Sequence, residues 1–191
     1  MFRRLWMLPR MWYFAYGSNL NQQAVAEWCR HHGHRAPNLK AVKPAVLDNY
    51  RLCFPIYSEY FGGGIADIEY DPGKHVAGAL FDLSEAEMKV LDAKVGRKVD
   101  STGRETGIYK LIEVSVSPQG AKGEPIKAVT YHGVGREKYH IPPTLHYMDL
   151  LVQGAYSMGL SMMWIAYLKS FSTQVGRKPR PPGHGDASAR M

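Results

Sequence analysis

Residues 14–20 read Phe-Ala-Tyr-Gly-Ser-Asn-Leu, and this stretch decides how the chain is interpreted. The aromatic residues at 12–16 are typical of a short buried strand. Gly17 lets the backbone approach a ligand closely, and the polar residues after it are typical of a helix start. Backbone N–H groups at such a start attract negative charge. The stretch predicts either a site for a carboxylate or oxyanion, or a simple helix cap at Ser18, Asn19 or Asn21.

The remaining patterns predict a fold that mixes strands and helices. Strands are expected at 45–54, 64–70, 76–83, 108–116 and 126–132, with turns at 71–73 and 118–120. Helices are expected at 22–32, after the capping pair Ser84 and Glu87, after the prolines at 142–143, and from Ser161 onward. This order is neither a regular parallel α/β alternation nor an all-β sandwich. We therefore predict an α+β fold, a small mixed and mostly antiparallel β-barrel flanked by helices.

The bulk composition predicts one domain with charged ends. The chain has 191 residues, 45% of them hydrophobic, which is enough for one core. Of the net charge of +7, residues 1–11 carry +3 and residues 172–191 carry +3, leaving +1 for the body. We expect an extension at 1–11, a domain at 12–171 and a disordered basic tail at 172–191, with Met11 as an alternative start. Because the body between these ends carries a net charge of only +1, we expect no nucleic-acid partner.

Other functional classes find little support in the sequence. No apolar run approaches the ~20 residues that span a bilayer, so no membrane partner is expected. Cys29 and Cys53 lack a paired spacing, which favours a reducing compartment and a cytoplasmic location. The histidines at 31, 32 and 34 lack zinc-ligand spacing, and the glycines at 62–64 are not followed by the Lys-Ser/Thr of a phosphate loop. We expect neither metal nor cofactor.

The exact residues at 16–20 favour the ligand-site interpretation over the simple helix cap. A strand that ends in Tyr-Gly-Ser-Asn-Leu near the start of a small domain resembles the γ-glutamylcyclotransferase family (AIG2-like fold). Weaker matches follow in the same order along the body: Gly63-Gly64-Ile65-Ala66, residues 76–81, Leu91-Asp92, Gly107-Ile108-Tyr109 and Tyr147. The first motif is specific, and the common order of the others adds weight to it.

The resemblance implies a reaction and a set of binding residues. In this family the α-amine of a γ-glutamyl compound attacks its own γ-carbonyl, which gives 5-oxoproline and a released amine. The small γ-glutamyl substrate would be bound by Tyr16, Gly17, Ser18, Asn19, Leu20 and Tyr147. For Tyr147 a plain core role is the alternative. The resemblance leaves the oligomeric state open.

One family position differs in a way that bears on catalysis. The family's base is a glutamate in a stretch of the type Leu-Asp-x-x-Glu-Gly, whereas residues 91–96 here read Leu-Asp-Ala-Lys-Val-Gly. The matching residue is Val95, which cannot accept a proton. A positioned base typically contributes ~10²–10⁴-fold, and holding the reacting groups together can be worth ~10⁵ M. A site without the glutamate is therefore expected to catalyse the cyclisation slowly and not to be inactive.

A substitute base is available in the long connection between Gly96 and Gly107. We predict Glu105 as that candidate, with a solvated surface carboxylate as the alternative and Asp100 as a weaker choice. Two hypotheses follow. The first is an active cyclotransferase with an altered base, and the second is an inactive member that binds γ-glutamyl-type carboxylates as a sensor or interaction module.

Overall fold

The computed structural model describes residues 10–39, 43–120 and 124–175. Its strands are β1 (Arg10–Ala15), β2 (Lys43–Ser58), β3 (Gly63–Ser84), β4 (Tyr109–Pro118) and β5 (Ile126–Gly133). Its helices are α1 (Gln22–His31), α2 (Glu85–Val95), α3 (Leu145–Ser157) and α4 (Met162–Lys169). A short 3-10 turn, Ser18–Leu20, joins β1 to α1.

The five strands close into a barrel in the order β1-β3-β2-β4-β5. Strands β1 and β5 run parallel and meet at Tyr13 and Val129, while the other neighbouring strands run antiparallel. Fully buried side chains fill the core, including Phe14, Phe54, Ile68, Leu80 and Phe81. The predicted fold class, a mixed and mostly antiparallel barrel with outer helices, is confirmed.

The strands predicted at 64–70 and 76–83 form one long strand, β3. The sequence predicted a turn at 71–73, but β3 stays paired with β2 on both sides, at Tyr50 with Tyr70 and at Asp48 with His75. Residues 71–74 therefore bulge opposite Asn49, whose φ is +63°. The Asn49 side chain accepts the Gly73 N–H at 3.2 Å. Turn-forming residues here build a β-bulge, which bends a strand without ending it.

The structure describes contacts at both edges of the predicted domain 12–171. Strand β1 begins at Arg10, whose Nε pairs with the Asp82 carboxylate at 2.9 Å, so two residues of the expected 1–11 extension belong to the barrel. At the other end, the Gln174 side chain donates to the backbone oxygens of Gly62 and Pro142. Residues 1–9 and 176–191 of the expected extension and tail lie outside the described residues.

Local capping explains where the helices start. Ser84 and Glu87 form the predicted capping box of α2, and Gly96 ends that helix with a φ of +73°. Thr144 and Ser161 cap α3 and α4 through their side-chain oxygens. Capping interactions therefore define both ends of α2, and Val95 is its last residue.

Among the residues that the structure describes, no helix combines the length and apolar character needed to cross a membrane.

Helix α3 packs directly on the 3-10 turn at Gly154. A Cβ at this position would lie 2.7 Å from Leu20 Cβ and 2.8 Å from the Asn21 backbone nitrogen. Real Cβ atoms do not approach other atoms so closely, and backbone cannot move aside as a side chain can. Gly154 therefore permits the contact that holds the turn against α3.

We expect Gly154→Ala to lower the free energy of unfolding by about 1–3 kcal/mol, because the added methyl group overpacks this contact. The loss should appear although alanine is ~1 kcal/mol more favourable than glycine within a helix. Urea denaturation measures it. Gly135→Ala is the control, since a Cβ at Gly135 meets nothing within 4 Å. A Gly154→Ala protein as stable as this control would contradict the tight contact.

Candidate active site

The segment 16–20 brings the backbone from the barrel core to a partly exposed position. Tyr16 is buried, and its hydroxyl donates to the Tyr131 carbonyl at 2.6 Å. Gly17 and Ser18 are half-buried. In the described part of the chain, the N–H groups of Ser18 and Asn19 have no backbone acceptor, as expected for the first donors of a short helical turn, and the Ser18 N–H faces the Tyr147 hydroxyl. The first backbone donors of this turn are therefore not used by backbone carbonyl groups of the described chain.

The cap of α1 is Asn21, not Ser18 or Asn19. The Asn21 side-chain oxygen accepts the Ala24 N–H at 3.0 Å, the usual N-cap interaction. Ser18 and Asn19 lie in the preceding turn, and neither side chain caps it. The helix-cap interpretation of the motif therefore accounts for Asn21 alone and leaves the polar groups of Ser18 and Asn19 for another role.

Tyr147 of α3 lies beside Gly17 at the same turn. Its hydroxyl oxygen accepts the Ala66 N–H at 2.9 Å, and a Cβ at Gly17 would lie 3.7 Å from that oxygen. Burial raises the pKa of Tyr147 to about 12, against hydrogen bonds from Ala66 and Ser18 that lower it. The group is thus a neutral hydroxyl at ordinary pH. The structure places Tyr147 beside Gly17 of the motif, and a shared substrate pocket lined by both stays a prediction.

A second polar cluster meets the turn at Asn19. The Asn19 side-chain nitrogen donates to the Tyr13 hydroxyl at 2.9 Å, and the Lys94 ammonium donates to the Asn19 side-chain oxygen at 2.9 Å. Lys94 is partly exposed along its length, but its amino group is buried. Burial lowers the pKa of Lys94 to about 8, and the Cys29 thiol raises it slightly. Asn19 thereby connects the motif to the end of α2.

Val95 is the last residue of α2 and follows Lys94 directly. It is half-buried and packs against the hydrophobic core. One turn earlier, the Asp92 carboxylate accepts the Tyr131 hydroxyl at 2.8 Å and pairs with Arg97 at 2.8 Å. Both Asp92 oxygens are therefore occupied. That Val95 occupies the position of the family base stays a prediction from sequence.

Glu105 lies in the loop between α2 and β4. Residues Val99 and Glu105 form an antiparallel bridge, and Glu105 Oε1 accepts hydrogen bonds from Arg97 at 2.7 and 3.1 Å. Its Oε2 is buried and has no hydrogen-bond partner within the described ranges. No direct hydrogen bond or ion pair joins Glu105 to residues 16–20 in the part of the chain described. Among the described residues, Glu105 is linked to the turn through Arg97, Asp92 and Tyr131.

Sequence reasoning missed two residues near the site. Lys94 was passed over because a lysine in the last turn of a helix usually serves the helix dipole from the surface. Asp67 was missed because it lies within a strand otherwise interpreted as core. It is fully buried, accepts the N–H groups of Ile68 and Gly133, and pairs with Arg136 at 2.8 Å.

Known proteins resemble this chain over its barrel and helices. The sequence model of the AIG2-like family matches residues 75–168. The γ-glutamylcyclotransferase of Bos taurus is 31% identical over 162 residues, which cover 83% of this chain and 77% of the relative. The Homo sapiens γ-glutamylcyclotransferase is 30% identical with the same coverage.

Solved structures agree. A structure of a γ-glutamyl cyclotransferase superposes with a TM-score of 0.71 at 26% identity, covering 95% of both chains. A Homo sapiens protein described as uncharacterized superposes with a TM-score of 0.67 at 28% identity, covering 86% of this chain and 89% of that one.

The closed five-stranded barrel with its outer helices defines a cyclotransferase-type enzyme fold. The chain belongs to the γ-glutamylcyclotransferase family, as the motif at 16–20 indicated.

Proposed function

We propose that this protein cyclises a γ-glutamyl amide or peptide to 5-oxoproline and releases the amine. The observation that carries the proposal is the turn after β1, where Asn21 caps α1 and the N–H groups of Ser18 and Asn19 have no backbone acceptor in the described chain. A cytoplasmic location is part of the same proposal, since Cys29 and Cys53 are free thiols.

The turn is suited to the charge that this reaction develops. When the amine attacks the γ-carbonyl, a tetrahedral oxyanion forms, and preorganised N–H donors in an enclosed site stabilise such an anion. We assign substrate binding to Tyr16, Gly17, Ser18, Asn19, Leu20 and Tyr147. Ser18 and Asn19 would supply the donors, while Tyr147 and Gly17 shape the wall beside them. Holding amine and carbonyl together accounts for much of the rate even with a weak base.

The proton acceptor is the open part of this mechanism. Glu105, the substitute base predicted from sequence, remains a proposal. Its Oε2 is buried and unpartnered in the described part of the chain, which suits a proton acceptor. Its Oε1 is held by Arg97 at 2.7 Å. A Glu105→Gln variant tests the role, since glutamine keeps the shape and accepts no proton.

The alternative is an inactive member that binds γ-glutamyl-type carboxylates as a sensor or interaction module. One specific observation favours it: position 95, the last residue of α2, is a valine. In this case the turn would bind 5-oxoproline or a γ-glutamyl compound, and no bond would break.

One assay separates the two functions. The purified protein is incubated with a panel of γ-glutamyl amino acids, peptides and amines between pH 6 and pH 9, and 5-oxoproline is measured by mass spectrometry. We expect release from at least one compound, lost in a Gly17→Val variant that crowds Tyr147 and kept in Gly135→Val. Calorimetric binding of 5-oxoproline without any release would support the inactive module, and neither binding nor release would contradict both.

A further inference from the structure

Lys94 brings an amino group into contact with the substrate-binding motif. Its Nζ donates to the Asn19 side-chain oxygen at 2.9 Å, and the group is buried. In the described ranges, no carboxylate forms an ion pair with it, whereas Lys89 on the same helix pairs with Glu85 at the surface. A buried amine with only a neutral partner is costly as an ammonium and is therefore ready to lose its proton.

We propose that Lys94 is the proton acceptor of this site and replaces the glutamate that the family has at position 95. The inference rests on the proposed cyclisation and names the residue that makes it possible. Lys94 directly precedes Val95 at the end of α2, so the acceptor has moved by one residue along the same helix end.

Two amines held close together favour one shared proton. Burial lowers the pKa of Lys94 to about 8, so roughly one molecule in ten holds it neutral at pH 7. The substrate α-ammonium, with an ordinary pKa near ~8, would be a second cation in the same space. Because two like charges close together repel, the pair keeps a single proton more readily than two. The attacking amine is thereby free for part of the time.

The groups around Lys94 do not oppose this role. Helix α1 contributes Cys29, which raises the lysine pKa only in part, and the turn contributes Asn19, itself bonded to Tyr13 of β1. On α2, Asp92 is engaged by Tyr131 of β5 and by Arg97. Strand β3 also packs against α2, and none of its described titratable side chains bonds to or pairs with Lys94. Therefore no fixed carboxylate holds the proton on the lysine.

The proton transfers balance within the site. The neutral Lys94 amine takes one proton from the α-ammonium, and the free amine attacks the γ-carbonyl carbon while the carbonyl electron pair moves to oxygen. The oxyanion then collapses, the bond to the leaving nitrogen breaks, and the Lys94 ammonium returns its proton to that nitrogen. The ring nitrogen loses a second proton by the same route. Two protons leave the attacking nitrogen and two reach the leaving nitrogen, so the amine departs as an ammonium without net proton release.

Substitutions at Lys94 test the proposal. Lys94→Met removes the acceptor, and Lys94→Arg keeps a positive charge that stays protonated, with a pKa above ~12. Both should lose ~10²–10⁴-fold in kcat/KM. Lys89→Met, on the exposed face of the same helix, is the matched control and should be unchanged. Full activity in Lys94→Arg would overturn the proposal and assign the lysine to binding an anion.

The pH profile gives an independent readout. A lysine base must be neutral, so kcat/KM of the unmodified protein should rise from pH 6 and level off above about pH 8. In Lys94→Met only the substrate α-amine, with a pKa of ~8, still loses a proton in this range, so the residual activity should follow that single ionisation and stay ~10²–10⁴-fold lower throughout. A kcat/KM that falls across this range would overturn the proposal, because it would require the charged form of the lysine.

Two further variants separate failure of this proposal from failure of the proposed function. Adding Val95→Glu to Lys94→Met should raise kcat/KM at least tenfold above that of Lys94→Met alone, because the glutamate supplies a proton acceptor to an intact pocket. Glu105→Gln should lose less than tenfold, and a loss as large as that of Lys94→Met would transfer the role to Glu105. If Val95→Glu is active and the unmodified protein is not, the role of Lys94 is refuted and the cyclotransferase site is not. Inactivity in every variant would refute the cyclotransferase proposal as well.

Discussion

At pH 6, the Val95→Glu variant is expected to release 5-oxoproline about 100-fold faster than the unmodified protein. With the pKa of Lys94 at about 8, only about 1% of that amine is neutral at pH 6. A glutamate with an ordinary pKa of about 4.3 is almost fully ionised at this pH. The variant therefore has an acceptor ready in nearly every molecule. The difference should narrow to about tenfold or less at pH 9, where most of the lysine is neutral.

The structure allows this change at little structural cost. Val95 is half-buried at the last position of α2, and Gly96 ends the helix directly after it. A carboxylate there can keep part of its hydration, so its pKa need not rise far.

Val95→Gln is the matched control, because glutamine has the size of glutamate and accepts no proton. It should match the unmodified protein at both pH values. The measurement is initial-rate release of 5-oxoproline with the best substrate of the panel. Equal rates for Val95→Glu and Val95→Gln would mean that position 95 is not aligned with the family base.

Most of the fold could be predicted because its signals are local. The aromatic strand before Gly17 gave β1, and the pair Ser84 and Glu87 gave the start of α2, where both reciprocal hydrogen bonds form. The continuity of β3 could not be predicted in the same way. Residues 71–73 are typical turn formers, and only the pairing of β2 on both sides of Asn49 makes them a bulge. This pairing joins residues far apart in the chain.

The candidate site could likewise be predicted only where its signals are local in the sequence. The motif at 16–20 was recognisable as a string, but the sequence could not tell that Asn21 takes the capping role. The inward reach of Lys94 was also hidden, since helix periodicity sets the direction of a Cβ and not the path of a four-carbon side chain. The partner of Glu105 depends on the chain folding back to Arg97 after α2. These contacts arise only when the barrel closes.

Asp67→Ala is expected to lower the free energy of unfolding by about 3–5 kcal/mol, the usual result of removing one partner from a buried ion pair. The Asp67 side chain is fully buried, and its carboxylate pairs with Arg136 Nε at 2.8 Å. It also accepts the N–H groups of Ile68 at 2.8 Å and Gly133 at 3.1 Å. Alanine would leave an uncompensated guanidinium and two backbone donors without partners. Urea denaturation followed by circular dichroism measures the loss.

The matched control is Glu69→Ala, two residues further along β3. Glu69 pairs with Arg51, and both side chains are about half exposed, so its loss should cost less than about 1 kcal/mol. Adding Arg136→Met to Asp67→Ala should recover part of the stability, because it removes the orphaned charge. Equal losses for Asp67→Ala and Glu69→Ala would show that the buried pair is dispensable.

The effect of Asp67 should extend to the turn after β1. Asp67 follows Ala66, whose N–H donates to the Tyr147 hydroxyl and whose carbonyl accepts the Tyr109 hydroxyl at 2.6 Å. A shift of β3 at Asp67 would therefore move Tyr147 away from Gly17. We expect the Asp67→Ala protein, while still folded, to bind 5-oxoproline more weakly than the Glu69→Ala protein. Unchanged binding would show that Tyr147 is positioned by α3 alone.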